Sequence, residues 1–184
     1  MQGWSLIELV AALAISATLL GAAWFSTSLW IARVEREADR DQLATLINLS
    51  RAAAVNLNHP VILCPGDLTS GCGARNTWHL GTIAFADANQ DRSLDAGDIT
   101  LASIPQLTSR IEWRSFRNRS YLKFRASGVT DWQNGHFKFC PLQPIPGSGG
   151  LQLVLNAAGR LYFSRDDDAD GIHEDVQGRP LICS

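Results

Sequence analysis

The chain has 184 residues, 46% of them hydrophobic and 18% charged, with a formal net charge of −2 and a mean hydropathy of −0.02. That length gives one domain with a real core, plus at most an appendage. The apolar content and only 15 Gly and 7 Pro exclude disordered, collagenous and low-complexity chains, and the charge excludes nucleic-acid binding by bulk basicity.

Residues 9–32 read LVAALAISATLLGAAWFSTSLWIA, 24 residues without a charge, and Glu8 is the only charge before them. About 20 apolar residues cover the hydrocarbon core at ~1.5 Å of helical rise each, so a membrane-spanning helix is expected here. A buried core helix and a cleaved secretory signal are the alternatives. The run exceeds a signal's apolar region, and its far end lacks a small-x-small cleavage site. A carboxylate such as Glu8 at the edge of an apolar segment is costly and marks function.

Residues 33–41 are highly charged, and then Leu43, Leu46, Ile47, Ser50, Ala54 and Leu57 recur at helical spacing. This is one amphipathic face continuing the same helix, stopped by Asn58 and Pro60. A helix from residue 5 to 57 is roughly 75 to 80 Å long at ~1.5 Å per residue. Its first half suits lipid or a filament, and its second half suits a head. Short strand-like runs follow, beginning at Val61, Thr82, Ile99, Arg110, Tyr121, His136, Leu151, Arg160 and Pro180, separated by Gly, Pro, Asn and Asp clusters. Their spacing predicts a mostly antiparallel sheet packed on the helix, in the α+β class. Residues 141–150 are expected to be a loop, from their Gly and Pro content.

The chain starts Met1-Gln2-Gly3, then Trp4-Ser5-Leu6-Ile7-Glu8-Leu9-Val10. This resembles the class III signal of type IV pilins and type II secretion pseudopilins, in which a prepilin peptidase cuts after the glycine and N-methylates the new first residue. The resemblance implies cleavage between Gly3 and Trp4. It also makes Glu8 the assembly carboxylate that pairs with the N-terminal ammonium of a neighbouring subunit. Such a pair removes two charges from hydrocarbon at once and sets the axial register between chains. Trp4 replaces the usual Phe, and the three-residue leader carries no Lys or Arg. Further along, SRAAAVNLNHPVILCP, Cys72, WHLGTIAF from Trp78, DANQDRSLDAGD and AAGRLYFS are similar in order to the GspH/FimT group of minor pilins and pseudopilins. With the N-terminus, that likeness covers nearly the whole chain.

Four cysteines, Cys64, Cys72, Cys140 and Cys183, have no CxxC spacing, so disulfides in an exported head are the natural reading rather than zinc. Three connectivities are open, with Cys64 to Cys72 and Cys140 to Cys183 favoured and buried free thiols as the alternative. Two acidic runs fit the oxygen-ligand positions 1, 3, 5, 9 and 12 of a calcium loop. In the first these are Asp87, Asn89, Asp91, Asp95 and Asp98, with Arg92 in the place of the turn glycine. In the second, Asp166, Asp168, Asp170 and Glu174 fall at the first four, with Gly171 as the turn residue and Gln177 last. Solvated acidic turns are the alternative for both.

Between these runs, Arg110, Arg114, Arg117, Arg119, Lys123 and Arg125 alternate with Trp113, Phe116, Tyr121 and Phe124. Cations on phosphates with aromatic faces on bases would bind DNA; a β-hairpin with aromatics inward and cations outward is the plainer reading. Some members of the resembled group bind DNA in natural transformation through a Gly-Arg-x-Arg motif. Gly159 and Arg160 match it, but Tyr162 stands where the second Arg belongs, with Arg165 beyond. His59, His79, His136 and His173 are scattered and form no catalytic motif.

The expected fold is therefore pilin-like α+β: a prepilin leader (1–3), a transmembrane helix (4–32), its amphipathic continuation (33–58) and a periplasmic head (59–184). The expected function is that of a minor pilin or pseudopilin, a structural subunit of a type II secretion pseudopilus or type IV pilus and not an enzyme. DNA uptake is the alternative. Expected partners are other pilin subunits, the prepilin peptidase, the bacterial inner membrane, secreted cargo and DNA; calcium is the one candidate cofactor.

Overall fold

Buried side chains at Arg36, Asp39, Leu43, Leu46, Ile47, Ser50 and Ala54 step by three and four along the chain, which places them on one face of a helix. They belong to α1 (Leu6–Leu57), a helix of 52 residues. The structure, a computed structural model, describes residues 5–143 and 148–183. The buried face is shifted from the one expected. Leu57 is exposed, and the charged Asp39 is buried. Asp39 tolerates burial because its Oδ2 accepts the Ser109 backbone N–H at 2.7 Å and the Thr108 hydroxyl at 2.9 Å. The helix ends where Asn58 turns left-handed, with φ 53°, two residues before Pro60.

Two compact units make up the chain, residues 1–34 and 35–184. In the first, Leu6, Ile7, Leu9, Val10, Leu13, Ile15, Leu19 and Leu20 are all exposed. The Ser16 and Thr18 hydroxyls donate to the carbonyls of Ala12 and Ile15, each at 2.8 Å, so neither needs water. Among the described residues no helix is long and apolar enough to cross a membrane. The expected span over residues 4–32 falls partly outside them, at residue 4 and at the side chains of residues 22–26, 28 and 29.

Among the described residues the second unit holds nine strands: β1 (Val61–Asp67), β2 (Gly71–Cys72), β3 (Thr82–Ala86), β4 (Ile99–Ile104), β5 (Ser109–Ser115), β6 (Leu122–Phe124), β7 (Gly135–Pro141), β8 (Leu151–Leu155) and β9 (Leu161–Phe163). All pair antiparallel, but in two sheets rather than one. The first has the order β2-β1-β3-β4, with β6 also on β1; the second has the order β5-β7-β8-β9. The run at Pro180 makes isolated bridges, Glu174 to Pro180 and Gly149 to Ile182, instead of a strand.

One core joins the elements of this unit. Leu43, Leu46 and Ile47 of α1 meet Val61 and Leu63 of β1, Ile111 and Trp113 of β5, Phe137 and Phe139 of β7, and Leu151, Leu153 and Leu155 of β8. At its centre Phe137 stacks on Trp113, ring centroids 4.1 Å apart, and meets Trp78 edge-on at 4.9 Å. The alternation in β5 and β7 follows from one face being buried. β1 and β3 differ, since Ile62, Cys64, Ile83 and Phe85 form a second cluster on the outer face of their sheet, packed by Leu94 and Tyr121. Strands covered on both faces read as continuous apolar runs, as these two do.

Cys64 is bonded to Cys72 across 8 residues, and Cys140 to Cys183 across 43. The second bond ties the C-terminal segment to β7. Loop-closure entropy gives about 2.5 kcal/mol for the short loop and about 4 kcal/mol for the long one. Denaturant unfolding should therefore show the pair Cys140→Ala and Cys183→Ala to be more destabilising than Cys64→Ala with Cys72→Ala, by about 1.5 kcal/mol.

Candidate functional site

At the start of α1 the sequence Ser5-Leu6-Ile7-Glu8 builds a reciprocal cap. The Ser5 backbone N–H donates to Glu8 Oε2 at 2.9 Å, and the Glu8 N–H donates to Ser5 Oγ at 3.4 Å. Ser followed three residues later by Glu is the capping-box pattern, and the positive end of the helix dipole favours a carboxylate there. Glu8 is thus held at the very start of the chain's apolar half, with exposed Leu6, Ile7 and Leu9 around it. Gly3 and Trp4 lie outside the described residues.

The two acidic runs fold alike. In the first, the Arg92 N–H donates to Asp87 Oδ2 at 3.2 Å, the Asp91 N–H to Asn89 Oδ1 at 3.1 Å and the Ser93 N–H to Asp91 Oδ1 at 2.7 Å. The second repeats each step: Gly171 N–H to Asp166 Oδ2 at 2.9 Å, Asp170 N–H to Asp168 Oδ1 at 3.1 Å and Ile172 N–H to Asp170 Oδ1 at 2.7 Å. The sixth residue is left-handed in both, Arg92 with φ 71° and Gly171 with φ 90°. In the second run, single oxygens of Asp166, Asp168, Asp170 and Glu174 all lie within 4.8 Å of one another. In the first, the Asn89 amide stands between carboxylates, donating to Asp91 Oδ2 at 3.1 Å and Asp95 Oδ2 at 2.8 Å. Asp98 receives the N–H groups of Ala88 and Asp95, at 2.9 and 3.2 Å, which closes that loop end to end.

The basic stretch does not form one stripe. Arg114 lies on the outer face of β5 beside His136 and Lys138, whereas Arg117 sits in the following turn over the Phe116 ring. Arg119 donates to the Tyr121 hydroxyl at 2.8 Å and pairs with Asp131 at 3.5 Å. Arg125 binds the same carboxylate and is the main cause of the Asp131 pKa lying below its ordinary value. Arg160 is on the turn between β8 and β9, and the Arg165 backbone carbonyl accepts the Glu174 N–H at 2.8 Å beside the second acidic run. The expected aromatic partners are also divided: Trp113 and Phe124 are core residues, and only Phe116 is well exposed. Asp131, with Glu112 one of only two acids between residues 101 and 165, is the residue the sequence reading passed over; its place in a basic segment was the available signal.

A family profile described as type II transport protein GspH matches residues 39–159. That span runs from the buried Asp39 to the turn at Gly159, so it includes the first acidic run and excludes the second. The fold is similar to two crystal forms of the type IV minor pilin FimU of Pseudomonas aeruginosa PAO1, each 18% identical. In space group P65 the match covers 70% of this chain and 92% of that one with a TM-score of 0.51; in P21 it covers 72% and 90% with a TM-score of 0.53. No curated protein sequence matches the chain.

The outer face of the second sheet has a measurable signature. His136 is held below its ordinary pKa first by burial, then by Arg114 and Lys138; burial, then Arg110, lowers His79. A histidine with a depressed folded pKa stabilises the fold above its unfolded value of about 6.5, and that contribution is lost as pH falls through the folded value. Thermal melts should show stability declining below about pH 6.5, with a shallower decline in His136→Gln.

Proposed function

The chain belongs to the family of type II transport protein GspH, and from that membership we propose that it is a minor pilin or pseudopilin, a structural subunit of a pilus or secretion pseudopilus. The observation that carries this reading is the first half of α1. Leu6, Ile7, Leu9, Val10, Leu13, Ile15, Leu19 and Leu20 are exposed, the Ser16 and Thr18 hydroxyls are satisfied within the helix, and Glu8 is held at the start. Such a surface needs lipid or other helices around it. Prepilin peptidase would cut between Gly3 and Trp4 and methylate Trp4, with the helix held once across the bacterial inner membrane and the head in the periplasm, where two disulfides persist.

On assembly, the Glu8 carboxylate would leave the Ser5 N–H for the ammonium of a neighbouring subunit's first residue. The gain is a charge-assisted bond in place of a neutral donor. Other pilin subunits are then the main partners, and the head would carry contacts to them or to secreted cargo.

Glu8→Gln separates assembly from capping, because a glutamine at this position still caps the helix but carries no charge. Expressed with its filament system, Glu8→Gln should be inserted and cleaved like wild type yet drop at least tenfold in the sheared filament fraction, measured by immunoblot. Unchanged incorporation would remove the charge pairing from the account. Salt-sensitive binding of the detergent-solubilised full chain to DNA in a gel shift, lost in Arg160→Ala, would favour the DNA-uptake reading instead.

A further inference from the structure

Alternation along β5, β7 and β8 puts Ile111, Trp113, Phe137, Phe139 and the three β8 leucines in the core, so the residues between them face the other side of the sheet. Strand register sorts those outward residues into two rows: Glu112, Lys138 and Gln152 in one, Arg114, His136 and Val154 in the other. An outer sheet face is ordinarily open to water, yet Gln152 is only 5% exposed and His136 is partly buried. The C-terminal segment, residues 175–182, stands over this face and encloses a cleft of about 540 Å³ with it, a size typical of ligand-binding clefts.

That segment is fastened at both ends. Cys183 is bonded to Cys140 of β7, the Lys138 ammonium donates to the Ile182 carbonyl at 2.6 Å, and the Gly150 N–H donates to the Leu181 carbonyl at 2.5 Å. At the other end Asp175 accepts the Gln177 and Arg179 N–H groups, at 2.9 and 3.0 Å, and pairs with the Arg179 guanidinium at 2.7 Å. A cleft walled in this way keeps its shape without a ligand, which lowers the cost of binding one.

Its charges do not cancel. Glu112 pairs with Arg110 at 3.4 Å and Asp175 with Arg179, so both carboxylates lining the cleft are already matched. Arg114 has no carboxylate partner among the described residues, and the Lys138 ammonium is bonded to a neutral carbonyl. The two cations are diagonal neighbours on the sheet, about 7 to 8 Å apart at the backbone, so one anionic group can reach both. Beside Lys138, the Gln152 side-chain amide lines the cleft and has no hydrogen-bond partner among the described residues. A nearly buried amide in that state is costly until a partner arrives. Burial, then Arg114 and Lys138, holds His136 below its ordinary pKa, so its ring is neutral at pH 7 and adds an uncharged donor and acceptor. Val154 and the exposed Val176 and Ile182 supply apolar surface around these groups.

We propose that this cleft binds an acidic peptide segment of a partner protein, one carboxylate sitting between Arg114 and Lys138 and an apolar neighbour lying against Val154, Val176 and Ile182. The Arg114 guanidinium forks onto the carboxylate, Lys138 turns a spare N–H to it, and the Gln152 amide donates from the floor. Two unmatched cations beside apolar surface suit a peptide side chain better than a bare phosphate, which has no use for the valines. None of this rests on the assembly role proposed above.

The test uses the full chain in detergent and a nine-residue peptide blocked at both ends, one glutamate between two leucines and the rest serine and glycine, followed by the anisotropy of an uncharged dye. Wild type should bind it saturably, with a Kd on the order of 10⁻⁴ to 10⁻³ M, and the glutamine counterpart at least tenfold more weakly. Arg114→Gln, at an exposed position, should lose tenfold or more, and Gln152→Leu about three- to tenfold. Arg75→Gln removes an equal charge from an exposed position outside the cleft and should stay within about twofold. The proposal is overturned by no saturable binding to wild type, by equal binding of the glutamine peptide, or by an equal loss in Arg75→Gln and Arg114→Gln. Displacement of the peptide by inorganic phosphate at equal concentration would also overturn it, and would mark a phosphate site instead.

Discussion

Burial of a single helical face, Leu43, Leu46, Ile47 and Ala54, against both sheets is the interaction on which the remainder of residues 35–184 depends. Neither sheet closes on itself, and β6 and β9 have only three residues each. Without the helix, the inner faces of β1, β5, β7 and β8 would lack a common partner. Each fully buried Leu, Ile or Phe contributes about 1.5 to 3 kcal/mol relative to exposure, and the large side chains here meet in one place: Phe137 between Trp78 and Trp113, with Ile47 and Leu43 among them. Polar contacts then fix the position that burial leaves loose. Asp39 holds the start of β5, and the Arg51 guanidinium donates to the Gly128 carbonyl at 2.8 Å.

The same helix carries two surfaces of opposite kind. Residues beyond Glu35 have a buried face within their own unit, whereas the leucines and isoleucines between Leu6 and Leu20 have none within theirs. A segment that places the Ser16 and Thr18 hydroxyls on its own carbonyls and keeps the Glu8 carboxylate on a backbone N–H suits surroundings without water. In the proposed filament subunit, half of this helix would belong to the fold and the other half to its neighbours.

Periodicity made α1 and eight of the nine strands legible, since a 3.6-residue pattern and a two-residue pattern have different physical origins. What it missed has physical reasons. β2 is two residues long, too short to alternate. Asp39 looked like part of a solvated run because a carboxylate's partners, here Thr108 and Ser109, lie about seventy positions away in sequence. The division into two sheets is invisible locally, because whether β6 pairs with β1 or with β5 depends on the turn at residues 116–118. The basic stretch misled for the opposite reason: its local pattern is clear, but Glu112 and Asp131 neutralise part of it, and Trp113 and Phe124 are inside the core. The acidic runs were legible in position and spacing, though not the depth at which Asp87 is buried.

The claim that the exposed apolar half of α1 belongs to neighbouring subunits is tested most directly by a photo-crosslinking residue at Leu13, in cells that assemble the filament. The account predicts crosslinks to the N-terminal apolar segment of another pilin-like chain, identified by mass spectrometry. Crosslinks confined to lipid, or to residues 35–184 of the same chain, would contradict it.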